Sequence, residues 1–447
     1  MSADPEPILE VEGLNKHFEV NSGIVNDLRA RFTGAEKEYV HAVDGVDFEL
    51  YPGEAMGIAG ESGCGKTTTA KTLAKLHQPT GGTIRFRGED ITDLEGSELK
   101  QFRQNVQMIF QDPFESLNPR MTVYDTLAEP LQIHDVPNKR ARVARALEFA
   151  ELQPAEQYLD SYPNELSGGE RQRIAIARAI VLDPDFIIAD EPVSMLDVSL
   201  RAGVLSLLER MTKEFGLSIV YISHDLSLLR HMCDRIAIMY MGRIVEIGTT
   251  EQIIDDPKHP YTQALINAVP VPDPTTGRER VELEGEVGDA VHVPSGCRFR
   301  NRCPEIIPPK ELSIDQRTFR GAMSLRARVD RGFDAESYWE RTGGDGRSEP
   351  EEFKEILREE FVLGDPSREN REVLEEAIDL LAEGETERAG DLLRERFHSV
   401  CERVDPAAEE RLDIADERRV ACHLYEPSES GERGVDDPAP GEAAAGD

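Results

Sequence analysis

The sequence predicts an α/β fold, a sheet with a parallel core covered by helices, followed by a charged helical appendage. Three observations carry this expectation. Residues 185–191 (DFIIADE), 218–224 (SIVYISH) and 235–241 (RIAIMYM) are short continuous apolar runs alternating with helical stretches, as strands buried on both faces do. Residues 55–60 (AMGIAG) form another such run, which ends in glycine and leads through a glycine-rich loop into a helix predicted over 65–76. Hydrophobic residues make up 39% of 447, enough for a sizeable core, and at about 100–200 residues per domain the chain holds two or three domains.

In chain order, residues 8–12 (ILEVE) and 40–50 (VHAVDGVDFEL) alternate apolar and polar, as half-buried strands do. YPGE at 51–54 is a turn, QPTGG at 78–82 is another, and TIRFRG at 83–88 is a strand. VQMIFQ at 106–111 reads as a buried strand, and 122–182 as mostly helical, punctuated by Pro154 and Pro163. After about residue 270 the character changes. VPVPDPTTG is linker-like, and 305–400 is strongly charged. Helical spacing appears there in 348–363 (Phe353, Ile356, Leu357, Phe361), 367–383 (Leu374, Ala377, Ile378, Leu381) and 386–400. The composition of residues 426–447 predicts disorder.

Lys plus Arg is 51 against 87 Asp plus Glu, a net charge of −36. That argues against a main partner with a phosphate backbone, so no nucleic acid is expected, and against an anionic membrane surface. Acids spread along the whole chain, with lysine scarce, predict a protein built for high salt, where screening relieves self-repulsion. No stretch approaches the roughly 18 apolar residues of a spanning helix. The acidic start lacks the basic-then-apolar order of a secretory signal, so a soluble, cytosolic chain is expected. Cys64, Cys233, Cys297, Cys303, Cys401 and Cys422 then read as reduced thiols or metal ligands.

Gly60-Glu61-Ser62-Gly63-Cys64-Gly65-Lys66-Thr67, with Thr68 beside it, fits the phosphate loop G-x-x-x-x-G-K-S/T between a predicted strand and a predicted helix. Its backbone N–H groups converge on phosphate oxygens, Lys66 reaches the β- and γ-phosphates, and the Thr67 hydroxyl ligates Mg²⁺. Residues 186–191 form an apolar strand ending in Asp190 and Glu191. One carboxylate there can hold Mg²⁺, and the next can orient an attacking water. Ser167-Gly168-Gly169-Glu170 opens an amphipathic helix with a good cap and exposed backbone N–H groups, a second anion-binding helix start. Two phosphate sites for one ATP suggest that the second serves a partner's nucleotide.

The phosphate loop, LSGGE, IIADE, Ser194-Met195-Leu196-Asp197 and Ile222-Ser223-His224-Asp225 stand in the order and spacing of ABC transporter nucleotide-binding subunits, which residues 8–270 resemble. The resemblance implies a P-loop NTPase cassette: a mixed sheet core plus a helical signature subdomain. It assigns adenine stacking to Phe18 and a lid glutamine sensing Mg²⁺ to Gln111. It assigns the γ-phosphate signature across a dimer to Ser167, Gly168 and Gly169, and a dimer contact to Asp197. Glu191 resembles the general base and His224 the switch histidine. Glu170 stands where the family most often has Gln. QDPFESLNPRMTV (111–123), DEPVSMLDVSLRAGVL (190–205), HPYTQALINAVP (259–270) and the excursion at 21–38 resemble the dipeptide/oligopeptide permease subfamily.

The expected partition is a cassette (1–250), a peptide-permease-type extension (251–304), a charged helical insert (305–400), the end of a cysteine module (401–425) and a tail (426–447). In that module the resemblance implies that Cys297, Cys303, Cys401 and Cys422 can hold a 4Fe-4S cluster; zinc and four free thiols are the alternatives. The family usually has a short link where this chain has residues 304–400. The implied function is ATP hydrolysis with Mg²⁺, powering peptide import from the cytoplasmic face of the membrane. The implied partners are a second cassette, identical or sister, two transmembrane permease subunits and, indirectly, an extracellular substrate-binding protein. Nickel, sugar or another solute as cargo, and a soluble ABC ATPase of DNA repair or translation, are the competing readings.

Overall fold

The computed structural model describes residues 6–20, 37–112, 116–268, 288–334, 338, 350–361, 367–406 and 418–425. They divide into two compact units, one of residues up to 258, 262–268 and 288–293, the other of 259–261 and those from 294 on.

The first unit contains strands β1 (Leu9–Glu19), β2 (Tyr39–Leu50), β3 (Ala55–Ala59), β4 (Gly81–Phe86), β5 (Glu89–Asp90), β6 (Val106–Ile109), β7 (Phe186–Asp190), β8 (Ser218–Ser223), β9 (Arg235–Tyr240) and β10 (Arg243–Thr249). The alternating segments form an antiparallel sheet in the order β2-β1-β4-β5. The continuous apolar runs form a second sheet, β10-β9-β3-β8-β7-β6, parallel except for β10. Every residue of β3, β7 and β8 is buried, which is why these strands do not alternate. One core joins the sheets, with Leu9, Phe48 and Leu50 from the first and Ile58, Ile188, Val220 and Met239 from the second.

The order β3-β8-β7-β6 sets four parallel strands side by side, so their C-terminal ends open at one edge. Gly60, His224, Glu191 and Gln111 follow those ends, the place where open α/β sheets bind ligands.

The predicted helix at 65–76 is observed as Lys66–Leu73. The stretch 122–182 contains helices Val123–Ile133, Lys139–Phe149 and Gly168–Ile180, and Pro163 begins a short 3-10 turn within it. The first strand runs seven residues beyond residue 12, to Glu19, because β2 pairs with it along its whole length. Among the described residues, no helix is long and apolar enough to cross a membrane.

The second unit is helical, with Gln316–Asp330, Pro350–Glu360, Arg368–Ala382, Thr386–Arg396 and the short Val400–Arg403. The spacing in 348–363 and 367–383 buries Phe353, Leu357 and Phe361, then Leu374, Ala377, Ile378 and Leu381. Gln316–Asp330 carries no helical expectation from the sequence, because its buried Phe319, Ala322, Leu325 and Val329 are interleaved with four arginines. The linker at 269–277, most of the excursion at 21–38 and the tail at 426–447 lie outside the described residues.

Candidate functional site

The loop after β3 folds as it does because three glycines take positive φ: 155° at Gly60, 82° at Gly63 and 108° at Gly65. At two of them space is as binding as φ. A Cβ on Gly60 would lie 2.2 Å from the Met239 carbonyl oxygen, and one on Gly65 2.0 Å from that of Ala42. The loop therefore passes directly against β9 and β2. Lys66 is buried at the start of its helix and donates to the carbonyls of Gly60 (2.8 Å) and Glu61 (2.9 Å), so the ammonium sits curled inside the loop. Cys64 is buried beneath it, and burial pushes its thiol up. Ser62 and Gly63 are exposed at the loop tip, Thr67 is exposed, and Thr68 is half-buried.

Thr67 Oγ1 donates to Asp190 Oδ1 across 3.2 Å, joining the loop to the end of β7. Asp190 is only 3% exposed. Burial raises its pKa and the charge of Glu191 adds to the rise, while the Thr67 hydrogen bond opposes it. A buried carboxyl beside a hydroxyl is a fitting pair for a hard divalent cation, whose charge would offset the desolvation.

Glu191 takes φ 45°, a left-handed conformation uncommon for a side-chain-bearing residue, and its N–H donates to the Ile222 carbonyl of β8. This turn projects its carboxylate between two partners. Gln111 Nε2 donates to Oε2 across 3.0 Å, and His224 Nδ1 lies 2.8 Å from Oε1. The glutamate side chain is 16% exposed and the histidine 62%. Residues predicted from three separate motifs thus meet at one carboxylate.

Ser167 caps the helix Gly168–Ile180 in a reciprocal box with Glu170. Glu170 Oε2 accepts from the Ser167 N–H (2.9 Å) and hydroxyl (2.8 Å), and these bonds hold its carboxyl below the usual value. A Cβ on Gly168 would meet nothing within 4 Å, whereas one on Gly169 would press on Leu200 at 3.1 Å. Asp197 caps Val198–Phe215, accepting from the N–H groups of Ser199 and Leu200. The hydrogen bonds of Ser167 and Asp197 stay within their own helix starts. Phe18 is half-buried, edge-on to His77 (5.5 Å) with Lys16 Nζ 4.9 Å from its ring centre. A ring placed this way keeps area available for stacking.

In the second unit, the Cys297 N–H donates to the Cys401 carbonyl (2.8 Å), and the Ser295 hydroxyl to that of Glu402 (3.0 Å). A Cβ on Gly296 (φ 66°) would lie 2.5 Å from the Cys401 carbonyl oxygen. Segments more than a hundred residues apart in sequence are thereby joined. Burial pushes the Cys297 thiol up to about 11, with Cys401 adding to it. Burial pushes Cys303 up further, with Cys422, Cys297 and Cys401 each adding. Neighbouring cysteines thus add to the rise at both Cys297 and Cys303, within the set of four. No three of their sulfurs lie mutually within 4.8 Å. They stand wider than a four-thiolate zinc site, whose ~2.3 Å bonds draw sulfurs to about 3.8 Å apart.

The sequence reading missed His17, His41 and Asp44, which the β1–β2 pairing brings together. Their separation in sequence carries no metal-ligand spacing that would have flagged them.

Residues 43–194 match the family model described as ABC transporter, and residues 245–308 match that described as oligopeptide/dipeptide transporter, C-terminal region. Residues 316–413 match a domain of unknown function (DUF8228). The chain is 46% identical over 313 residues to the oligopeptide transport ATP-binding protein AppF of Bacillus subtilis, covering 69% of this chain and 92% of that protein. It is 45% identical over 299 residues to the dipeptide transport ATP-binding protein DppF of Escherichia coli, covering 67% and 87%. Among solved structures, a dimeric post-hydrolysis state of the ATP-binding cassette MJ0796 with ADP and Pi is 27% identical, covers 54% of this chain and 98% of that one, and has a TM-score of 0.47. With the phosphate loop, the strand-end acids and the capped signature helix in one unit, the chain belongs to the oligopeptide/dipeptide family of ABC transporter ATP-binding subunits.

Proposed function

We propose that this protein hydrolyses ATP to drive import of peptides through a membrane ABC transporter. The observation that carries the chemistry is the Glu191 carboxylate held between Gln111 and His224 at the strand edge where the phosphate loop ends. Adenine stacks on Phe18, and the loop from Gly60 to Thr68 wraps the phosphates. Lys66 exchanges its two carbonyl partners for phosphate oxygens. Thr67 and Asp190, with Gln111 nearby, would hold Mg²⁺, which would supply positive charge to offset that of the phosphates. Glu191 orients and polarises the water attacking in line, and His224 turns from Glu191 to the γ-phosphate. Most of the catalysis is positioning and charge stabilisation.

Ser167, Gly168 and Gly169 present backbone N–H groups to the nucleotide of a partner cassette, and Asp197 contacts that partner. Closure of two cassettes, identical or sister, then moves two permease subunits against which this chain sits from the cytoplasmic side. Peptide cargo is supported by the names of the two relatives above, both of peptide transport. An extracellular binding protein delivers the peptide, and no nucleic acid takes part. The −36 charge supports a working environment of high salt.

The cassette is assigned to residues 1–250, the peptide-type extension to 251–304, the helical insert to 305–400 and the closing cysteine segment to 401–425. Cys297, Cys303, Cys401 and Cys422 suit an iron–sulfur cluster better than zinc. In support, the Cys297–Cys401 backbone bond ties the two cysteine segments together, and no three of the sulfurs lie as close as a single ion would hold them. A bound cluster would supply the positive charge that keeps such thiols ionised.

The functional test is reconstitution with the two permease subunits in vesicles. ATP-dependent uptake of a labelled oligopeptide is expected; uptake of nickel or sugar in its place would overturn the cargo.

A further inference from the structure

On the face of the antiparallel sheet opposite Phe18, β1 and β2 place His17 directly across from His41, with their ring centres 4.2 Å apart. Asp44 completes the group. His17 Nε2 lies 3.0 Å from Asp44 Oδ1 and His41 Nδ1 3.8 Å from the same oxygen, and all three ligand atoms lie within 4.8 Å of one another. No other three His, Cys, Asp or Glu side chains among the described residues bring their ligand atoms so close. Nothing in the nucleotide chemistry above uses them.

We propose that His17, His41 and Asp44 form a binding site for a borderline divalent cation of the zinc, cobalt or nickel type. Donors ~2.0–2.2 Å from such an ion in tetrahedral array stand about 3.3 Å apart, a value between the two distances observed. Two imidazoles and one carboxylate select this class over Mg²⁺ or Ca²⁺, which take oxygen ligands. The two Asp44 oxygens have separate tasks. Oδ2 faces the Arg243 guanidinium at 3.4 Å, while Oδ1 faces the two rings, so the carboxylate is oriented from outside the ligand set as metal-binding carboxylates are. Side-chain exposures of 25% for His17, 33% for His41 and 18% for Asp44 leave room for an ion to enter and for water to complete its shell. A chain of net charge −36 concentrates cations around it. Donors on paired strands, which need no loop to order, make the site largely preformed. A bound ion would cross-link β1 to β2 one residue from Phe18.

Co²⁺ titration of the full chain, followed by visible absorption, tests this. The expected result is one ion per chain giving d–d bands without the near-ultraviolet thiolate charge-transfer band that binding at Cys297, Cys303, Cys401 and Cys422 would produce. His41→Lys keeps a hydrogen-bond donor beside Asp44 but removes the imidazole ligand, and should weaken the binding constant read from these d–d bands at least about tenfold, the loss that even an outer-shell partner carries. His17→Gln should do the same, with ATP hydrolysis by His41→Lys in Co²⁺-free buffer reporting an intact fold. Unchanged affinity in both variants, a spectrum with thiolate bands alone, or no binding at millimolar Co²⁺ would each overturn the site.

Discussion

Gln111 and Glu191, 80 residues apart in sequence, are joined by a 3.0 Å hydrogen bond from the amide to the carboxylate. The bond spans the ends of neighbouring strands β6 and β7, and its acceptor is the group assigned to activate water. Gln111 and the proposed base therefore meet at one point on the strand edge.

Glu191→Gln preserves the shape at that position and removes the base. ATP binding should be retained and steady phosphate release should fall by about 10²–10⁴, the usual contribution of a general base. The variant should accumulate as a closed dimer with ATP. Turnover near the parent rate would remove Glu191 from this role.

Gly168→Ala separates folding from assembly. The added Cβ meets open space at the first turn of a helix, and alanine is the better helix former by up to about 1 kcal/mol, so the melting temperature should hold or rise. The methyl group would stand where a partner's phosphate is placed. ATPase activity should fall about 10²-fold, the scale of one lost transition-state donor. Full activity in the folded variant would argue against the signature role.

Glu170 makes a pH prediction. Its folded carboxyl titrates below its ordinary value because the Ser167 N–H and hydroxyl favour the charged form. A depressed carboxyl contributes stability that is present above its unfolded pKa, about 4.3, and is lost as pH falls through the lower folded value. Glu170→Gln should therefore melt slightly below the parent at neutral pH, by less than about 1 kcal/mol, with the gap closing on acidification. A gap independent of pH would contradict the charge-based account.

Salt should stabilise the isolated chain. Screening at molar ionic strength shortens the Debye length to about 3 Å, which relieves the repulsion of 36 excess negative charges. Thermal melts in low and molar KCl measure this. A melting temperature that is flat or falls with KCl would reject the high-salt expectation.

Anaerobic purification followed by iron, sulfide and zinc analysis addresses Cys297, Cys303, Cys401 and Cys422. About four iron and four sulfide per chain are expected, the composition of the proposed cluster. Zinc alone, or none of the three, would replace the cluster by a zinc site or by free thiols.

The sequence by itself determined the chemistry of the phosphate loop, the strand-end acids and the signature helix, because each is a contiguous run whose residue types follow from local backbone needs. Gly60 and Gly65 must be glycine for φ and space, Ser167 must cap a helix, and β7 must be apolar until it reaches the edge. The helices after residue 348 were legible for a similar reason, since their apolar stripes recur every three or four residues. Tertiary structure decided which of these runs meet. Only the strand order β3-β8-β7-β6 sets Gln111 and His224 on the two oxygens of Glu191, because neighbours in a parallel sheet need not be neighbours in sequence. Only folding draws Cys297 to Cys401 across the helical insert, and only the β1–β2 register sets His17 against His41 beside Asp44. Cross-strand pairing acts through space at about 5 Å and leaves no periodic trace in a single strand's sequence.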